Sequence, residues 1–257
     1  MNNIDRRKFL ASAAGLGMAG LASTGFNHSR IIQNKSDQSG RKITSKGKMN
    51  SGVAHWDIIT IGNLSRNRYW GESDEKALHS VICTCSVITI GKTHIIVDPS
   101  LTDEAAMATE LKRRTGLSPS DIDTVFITHQ HGDHVAGLKH FLKARWLAGS
   151  EVASGLNKSA LYPKQVEPAG KTLFEIIDVI PAPGHTPDLQ ILRFDFTGLS
   201  VVVAGDSVAT KDFWDERRAY YNVMDPEESK RSMEKIDSIA DVIVPGHDNY
   251  FLNLKSV

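Results

Sequence analysis

The chain has 257 residues, of which 40% are hydrophobic and 23% are charged, a composition ordinary for a globular protein. It excludes collagen-like and wholly disordered classes, and the length is enough for one sizeable α/β domain or two small ones. The formal net charge is zero, yet residues 53–257 carry 21 Lys and Arg against 28 Asp and Glu. Nucleic-acid binders usually present a basic surface. We therefore expect a small-molecule substrate rather than a nucleic-acid partner.

The first 26 residues resemble a bacterial twin-arginine export signal, because paired arginines (Arg6 and Arg7) precede a run of small and apolar residues. We predict a signal peptide at 1–26, a flexible polar linker at 27–52 and the main folded domain at 53–257. The protein is then exported, to the periplasm, or anchored if the signal stays uncleaved. The apolar run is too weakly hydrophobic for a comfortable membrane span, and no span is expected in the mature body.

The first half of the body alternates strands and helices. "HWDIITIG" is predicted to be a strand, and two apolar runs form a hairpin around Gly91 and Lys92. A helix follows from an N-cap at Thr102 to Gly116. "DTVFITH" reads as a buried strand. "HVAGLKHFLKA", residues 134–144, shows apolar residues at helical spacing and is predicted to be a helix.

The second half continues the alternation, without an internal repeat. Strands are predicted at 173–180, 190–196 and 200–205, followed by a helix in "DPEESKRSMEKIDSIA" and a strand in "DVIVPGHD". The two cysteines, Cys83 and Cys85, share one face of a strand, where a disulfide between them is poorly placed. We interpret them as small buried side chains, with a metal or redox site as the alternative.

The segment "HQHGDH" places three histidines and an aspartate within six residues at the end of a strand. Such groups are costly to bury without partners. His129 and His131 lie two residues apart and can reach one point. Asp133 and His134 follow Gly132, which allows a sharp turn, and face a second point. The segment can hold one metal incompletely, or two metals that each lack ligands.

Further ligands are expected from distant positions, because the chain lacks the cysteine-rich set of a closed structural zinc site. Three candidates each follow a glycine near the end of a predicted strand. They are His185 in "APGHTPD", Asp206 in "VVVAGDS" and His247 in "IVPGHDN". A glycine lets the backbone bring a ligand close without a side-chain clash.

This ordered set resembles that of the metallo-β-lactamase fold hydrolases, from about Trp56 to the C-terminus, and the likeness includes the strand that ends at Asp98. The resemblance implies an α/β protein, a four-layer αββα sandwich with a dinuclear metal site at one edge. It assigns one metal to His129, His131 and His185, a second to Asp133, His134 and His247, and Asp206 as the bridge. Asp98 would support the histidine loop by hydrogen bonds.

The implied chemistry is hydrolysis by a hydroxide shared between two divalent metal ions, with Asp133 orienting it and moving a proton to the leaving group. The mixed nitrogen and oxygen ligands suit zinc, with iron or manganese as alternatives. We expect a carbonyl substrate: an ester, a lactone or a thioester. The alternatives are a phosphodiesterase or nuclease on the same site, a non-hydrolytic metal-binding protein, and a diiron redox protein.

Departures from the branches of this superfamily narrow the expectation. Class B β-lactamases carry a cysteine ligand where this chain has Asp206, and no histidine at the position of His134. Quorum-quenching lactonases carry a tyrosine shortly after the bridging aspartate, where this chain reads Ser-Val-Ala, although Tyr220 or Tyr221 could enter from the same loop. The C-terminal third most resembles the small single-domain group called metallo-β-lactamase domain-containing protein 1, whose animal member is associated with RNA cleavage.

Substrate specificity is expected in two loops, residues 63–80 and 207–224, because loops at the rim of a site carry binding residues. One interpretation is an apolar pocket with a cation, Lys211 or Arg217, for an anionic group. The other is that the aromatic residues only close the loops over the edge of the sandwich. The aromatic residues concerned are Tyr69, Trp70, Phe213 and Trp214.

Overall fold

The structure, a computed structural model, describes residues 52–73 and 75–254. The predicted signal at 1–26 and all but the last residue of the predicted linker at 27–52 lie outside the described residues, so both stay predictions. Among the described residues, no helix combines the length and the apolarity that crossing a bilayer requires.

The first sheet has six strands in the same order in space as in the chain. β1 to β3 pair antiparallel, and β3 to β6 run parallel. The strands are β1 (His55–Thr60), β2 (Cys85–Ile90), β3 (Thr93–Val97), β4 (Thr124–Ile127), β5 (Arg145–Ala148) and β6 (Glu167–Pro168).

The second sheet also has six strands, and its chain order is likewise kept in space. All its pairs are antiparallel except the parallel pair β10 and β11. The strands are β7 (Thr172–Leu173), β8 (Ile177–Pro181), β9 (Gln190–Phe196), β10 (Leu199–Gly205), β11 (Val242–Pro245) and β12 (Phe251–Leu252).

Four α-helices cover the sheets: α1 (Glu104–Thr115), α2 (Ser150–Asn157), α3 (Lys211–Asp215) and α4 (Pro226–Ile239). Short 3-10 turns lie at Arg68–Trp70, Pro119–Asp121 and Leu138–His140. Helix α1 begins at the Asp103 cap, whose Oδ1 accepts from the Ala106 amide, and ends at Gly116 in the left-handed region. The N-cap is therefore Asp103, one residue after the predicted Thr102.

The alternation of side chains along the strands produces the layers. In β4, Phe126 packs between the two sheets, whereas Val125 and Ile127 pack under α1 and α2. In β10, Val201 and Val203 face the same inner core, and Val202 packs with α3 and α4 on the outside. Two sheets thus share an inner core and each buries its outer face under helices. This confirms the predicted four-layer αββα sandwich.

Two predicted elements are wrong in detail. Residues 134–144 form turns around a single 3-10 turn instead of a helix, because the Gly137 amide donates to the Pro99 carbonyl (2.8 Å) and not within a helix. The predicted strand 173–180 is a hairpin, β7 and β8, whose turn places Phe174 and Glu175 at positive φ. Helix α2 and strand β5 had no counterpart among the predicted elements.

Candidate metal centre

The candidate ligands meet because several strands end at one edge of the sandwich. His129 and His131 follow β4, Asp206 follows β10, and His247 follows β11. His185 lies in the loop between β8 and β9. Since β10 and β11 are parallel, their carboxyl ends meet at the same edge. The sheet topology thus gathers residues spread over more than a hundred positions.

Glycines make part of this approach feasible. A Cβ at Gly246 would lie 2.0 Å from Asp206 Oδ1, and one at Gly205 would lie 2.7 Å from Thr128 Oγ1. Any larger residue there would displace the site. Gly132, within the histidine segment, has open space around its Cβ position and no positive φ. The geometry at this turn therefore does not require a glycine.

The carboxylate of Asp206 lies between two sets of imidazoles. Its Oδ2 lies 3.1 Å from His185 Nε2 and 3.8 Å from His129 Nε2. Its Oδ1 lies 3.1 Å from His134 Nε2 and 3.2 Å from His247 Nε2. His247 Nε2 also lies 3.2 Å from Oδ2, so the carboxylate as a whole contacts imidazoles of both sets.

All seven predicted ligands fall into two groups whose ligand atoms lie within 4.8 Å of one another. In the first group, His131 Nδ1 lies 2.9 Å from His185 Nε2. In the second, Asp133 Oδ2 lies 3.6 Å from the Nε2 atoms of both His134 and His247. The groups are His129, His131, His185 and Asp206, and Asp133, His134 and His247.

Several of these atoms are buried and make no hydrogen bond with the described residues. They include His129 Nε2, His134 Nε2, Asp133 Oδ2 and Asp206 Oδ1. Buried polar atoms without partners are rare and costly. A divalent cation in each group would satisfy them, and imidazole with carboxylate is a donor set that zinc accepts. The residues present therefore fit a pair of metal ions.

The pKa directions follow from burial and the neighbouring charges. Burial, with the neighbouring imidazoles, lowers the pKa of His129 well below its usual range, which keeps the ring neutral as a ligand must be. Burial alone would raise the pKa of Asp206, but His247 and His134 outweigh it and hold the pKa well below its usual range. Asp206 is therefore an anion.

The pKa of His134 is shifted in the opposite direction to that of His129. Burial lowers the pKa of His134, but the carboxylates of Asp206 and Asp98 outweigh that effect and raise the pKa well above its usual range. A cation bound at this ring would displace that proton, since metal ligation needs the neutral imidazole.

Asp98, directly after β3, holds the histidine segment in place. It is buried and lies at a φ of 50°. Its Oδ1 accepts from the Thr128 amide (2.8 Å), and its Oδ2 accepts from the Thr128 hydroxyl (2.7 Å) and from His134 Nδ1 (2.9 Å). A proton fixed on Nδ1 leaves Nε2 free to face the metal, which is the supporting role expected for Asp98.

The two cysteines are free and fully buried, in agreement with their interpretation as small buried side chains. Cys83 Sγ donates to the backbone carbonyls of Asp133 (3.3 Å) and Asp98 (3.4 Å). Burial raises the pKa of Cys83 to about 12, so the thiol stays protonated at neutral pH. Cys83 thus packs behind the cluster as a neutral side chain.

The aromatic residues of the two rim loops lie in different surroundings, and Trp214 borders a cleft of about 260 Å³ with Lys211 and Arg217, whose lining includes none of the candidate ligands. Phe213 is fully buried and packs edge-on against Tyr69 (5.1 Å) and Tyr220 (5.6 Å). Trp214 belongs to the separate outer core under α4, and Trp70 is 48% exposed. The alternative interpretation, aromatics that close the loops, describes them better.

The charged and hydroxyl groups of these loops also have structural partners. Lys211 Nζ pairs with Asp215 (2.6 Å), and Arg217 pairs with Asp237 (2.7 Å). The Tyr220 hydroxyl bonds Ser65 Oγ at 3.0 Å. These contacts hold the loops together rather than presenting free groups to a substrate.

A cleft that the sequence analysis did not find lies beside His131. It has a volume of about 480 Å³ and is lined by His131, by one face of α2, by residues 186–188 and by Met224. Glu151, Ser154 and Gly155 of α2 and its C-cap Lys158 follow the i, i+3, i+4, i+7 spacing of one helical face. That spacing could have signalled the face, had the helix itself been predicted.

Comparison with known proteins agrees with this geometry. The family model described as the metallo-beta-lactamase superfamily matches residues 80–247. Metallo-beta-lactamase domain-containing protein 1 of Xenopus laevis is 34% identical over 148 residues, which cover 54% of this chain and 60% of that protein. The protein of the same name from Mus musculus is 32% identical over 138 residues, covering 51% and 50%. The matched region thus spans between half and three-fifths of these relatives.

Among solved structures, a quorum-quenching N-acyl homoserine lactone hydrolase superposes with a TM-score of 0.62 at 20% identity, covering 78% of this chain and 94% of that one. At this identity the likeness shows the fold. The family match covers most of the chain, and its range contains the whole candidate ligand set. The chain therefore belongs to the metallo-β-lactamase superfamily.

Proposed function

We propose that residues 53–257 form a dinuclear hydrolase that holds two zinc ions and cleaves a carbonyl substrate: an ester, a lactone or a thioester. The observation that carries the proposal is the Asp206 carboxylate, which contacts imidazoles of both ligand groups: Oδ2 lies 3.1 Å from His185 Nε2, and Oδ1 lies 3.1 Å from His134 Nε2. One carboxylate aimed at two ligand groups is the arrangement that a pair of ions needs.

Each group would hold one ion. His129, His131 and His185 would bind the first, Asp133, His134 and His247 the second, and Asp206 both. A pair of divalent cations lowers the pKa of a shared water toward 7 and polarises a substrate oxygen. The ligand atoms come mostly from strand ends and short loops of a packed sandwich, so the site is preorganised.

Asp133 supplies the proton chemistry of the chain itself. Its Oδ2 is buried without a hydrogen-bond partner among the described residues and lies 3.6 Å from two imidazole Nε2 atoms. With Oδ2 facing these ligand nitrogens, the other oxygen, Oδ1, would orient a nucleophilic water, accept its proton and return that proton to the leaving group. The Tyr220 hydroxyl, bonded to Ser65, has no part in this proposal.

Two observations support a carbonyl substrate over a phosphodiester. The cleft beside His131 carries Glu151 and Asp188 against Lys158, so it does not attract a polyanion. Solved structures with this fold include proteins named as lactonases, one of them a dizinc quorum-quenching lactonase with a TM-score of 0.54. The phosphodiesterase alternative becomes an outcome of the test.

The test combines metal content with turnover. We expect about two zinc ions per chain after native purification, and turnover of at least one of a set of lactones, thioesters and simple esters. His129→Ala should lower metal content and remove turnover, and Asp133→Ala should do the same. His94→Ala is the matched control, because His94 lies on β3 and bonds Thr89 outside the cluster.

Three results would contradict the proposal. They are full activity in a metal-free His129→Ala variant, one ion per chain with full activity, and turnover confined to phosphodiesters. The first result would reject the assignment of the metal ligands. The second would reject the dinuclear site, and the third would reject the carbonyl substrate class.

Export through the twin-arginine route is a separate part of the proposal, supported by Arg6 and Arg7. The route carries folded proteins, which suits a chain that loads metal before export. Replacing both arginines by lysine should keep the protein in the cytoplasm of a bacterial host, as measured by cell fractionation. Unchanged periplasmic recovery would reject this part.

A further inference from the structure

The cleft beside His131, here called the α2 cleft, adjoins the first group of candidate ligands and reaches Met224, the last residue of the second rim loop. His131 forms part of its wall, so a molecule in the cleft lies next to the first ligand group. Its volume of about 480 Å³ suits a small molecule. The cleft is therefore placed where part of a substrate would lie during attack on its carbonyl group.

The walls of the α2 cleft differ in character. Met224 is 66% exposed and, with Pro187, forms an apolar wall. The opposite wall is the polar face of α2, with Glu151, Ser154 and Lys158. An exposed methionine beside a site offers an adaptable surface for carbon chains.

Thr186 gives an independent sign of a ligand. It directly follows the candidate ligand His185, lines the α2 cleft and is 3% exposed. Its Oγ1 is buried and makes no hydrogen bond with the described residues. Buried hydroxyls nearly always have a partner, so a substrate group that bonds Thr186 would satisfy it.

The charges of the cleft favour an uncharged substrate. Glu151 and Asp188 oppose the single cation Lys158, and none of the three forms an ion pair with another described residue. These side chains sum to one negative charge, so the walls built by the chain itself offer no cationic surface to a polyanion, and any positive charge comes from ions held at the His131 end.

We propose that the α2 cleft binds the arm of a small, uncharged carbonyl substrate, with a chain of a few carbons against Met224 and Pro187 and a hydrogen bond to Thr186. This inference rests on the proposed hydrolase function, since it names the substrate class of the same site. It makes Thr186 and Met224 specificity residues that touch substrate.

The first test places a cysteine in the α2 cleft. Ser154 is exposed, whereas both native cysteines are fully buried. Iodoacetamide therefore alkylates the new thiol of the Ser154→Cys variant selectively. We expect hexanamide, an uncharged probe, to slow this alkylation in proportion to 1 + [L]/Kd, or about fivefold at four times Kd. Ala105→Cys on the exposed side of α1 is the matched control and should show no protection.

The dinucleotide thymidylyl-thymidine, which carries one phosphodiester charge, is the anionic probe and should leave the alkylation rate of the Ser154→Cys variant unchanged. Protection by the dinucleotide and not by hexanamide would overturn the inference. So would the absence of protection by hexanamide up to its solubility limit. This readout needs no turnover and separates the cleft from the hydrolase function.

The second test uses catalysis. Alkylated Ser154→Cys should lose about tenfold or more in kcat/KM on the best carbonyl substrate, with unchanged metal content. Thr186→Val keeps the shape but not the hydroxyl, and should raise KM more than it lowers kcat. Full activity after alkylation overturns the inference while the proposed function stands. Protection by hexanamide without turnover of any carbonyl compound overturns the proposed function while the cleft stands.

Discussion

Asp98→Asn is the most informative single change, because it alters charge and hydrogen-bond direction at one oxygen and almost nothing in shape. Asparagine also tolerates the positive φ of 50° at this position. Asp98 Oδ2 accepts from both the Thr128 hydroxyl and His134 Nδ1. In the variant one oxygen can still accept from the Thr128 amide, and an NH₂ group then faces the other two donors.

The magnitude follows from these contacts. Removing a buried charged acceptor from two donors costs about 2–3 kcal/mol of the free energy of unfolding, after some rearrangement of the Thr128 hydroxyl. The amide donor also favours the His134 tautomer with its proton on Nε2, the nitrogen that faces Asp206 at 3.1 Å. Loss of such a supporting hydrogen bond lowers metal affinity about 10–100-fold.

Two measurements check this. Urea unfolding of the metal-free protein gives the stability, and competition with a chelator of known affinity gives the metal affinity. Asp178→Asn is the matched control, because Asp178 on β8 is half-exposed and pairs with Arg193 at 3.4 Å, so its loss should cost under about 1 kcal/mol. If Asp98→Asn binds zinc within twofold of the unaltered protein, Asp98 does not set the His134 tautomer and the reasoning fails.

Three further outcomes follow from the packing of the site. Gly246→Ala should abolish metal binding, because the new Cβ would lie 2.0 Å from Asp206 Oδ1. Gly132→Ala should leave metal binding intact, because nothing lies within 4 Å of its Cβ position. Equal metal content in the two variants would contradict this expectation. Cys83 and Cys85 should resist a thiol reagent at pH 8 in the native protein and react as two thiols in denaturant, since both are fully buried. Tyr220→Phe should leave kcat within about threefold and cost about 1 kcal/mol of stability through its lost hydrogen bond; a hundredfold fall in kcat would restore a catalytic role for this tyrosine.

The candidate ligand set could be predicted from the sequence. His129, His131, Asp133 and His134 lie in one short segment, and the distant ligands each follow a glycine near a strand end. These are local signals, because the end of a strand and the residue type found there can both be identified from the sequence. The family resemblance then supplied the layer order that the structure confirms.

The rim could not be predicted in the same way. Whether Phe213 and Trp214 line a pocket or pack inside depends on what covers them, and they turn out to be buried in two different clusters. The prediction of a helix at 134–144 was wrong for a related reason, namely a contact with a distant part of the chain. A Cβ at Gly137 would lie 2.7 Å from the Leu101 carbonyl, a contact made by residues over thirty positions away.

The sequence by itself determined which side chains could bind metal and in what order, because those chemical types and their strand-end positions are encoded locally. Only the tertiary structure decided that Asp206 lies between two groups of imidazoles, and that one face of α2 meets Thr186 and Met224 in a cleft beside His131. Such meetings depend on how sheets and helices pack across long sequence separations, and no local pattern along the chain specifies them.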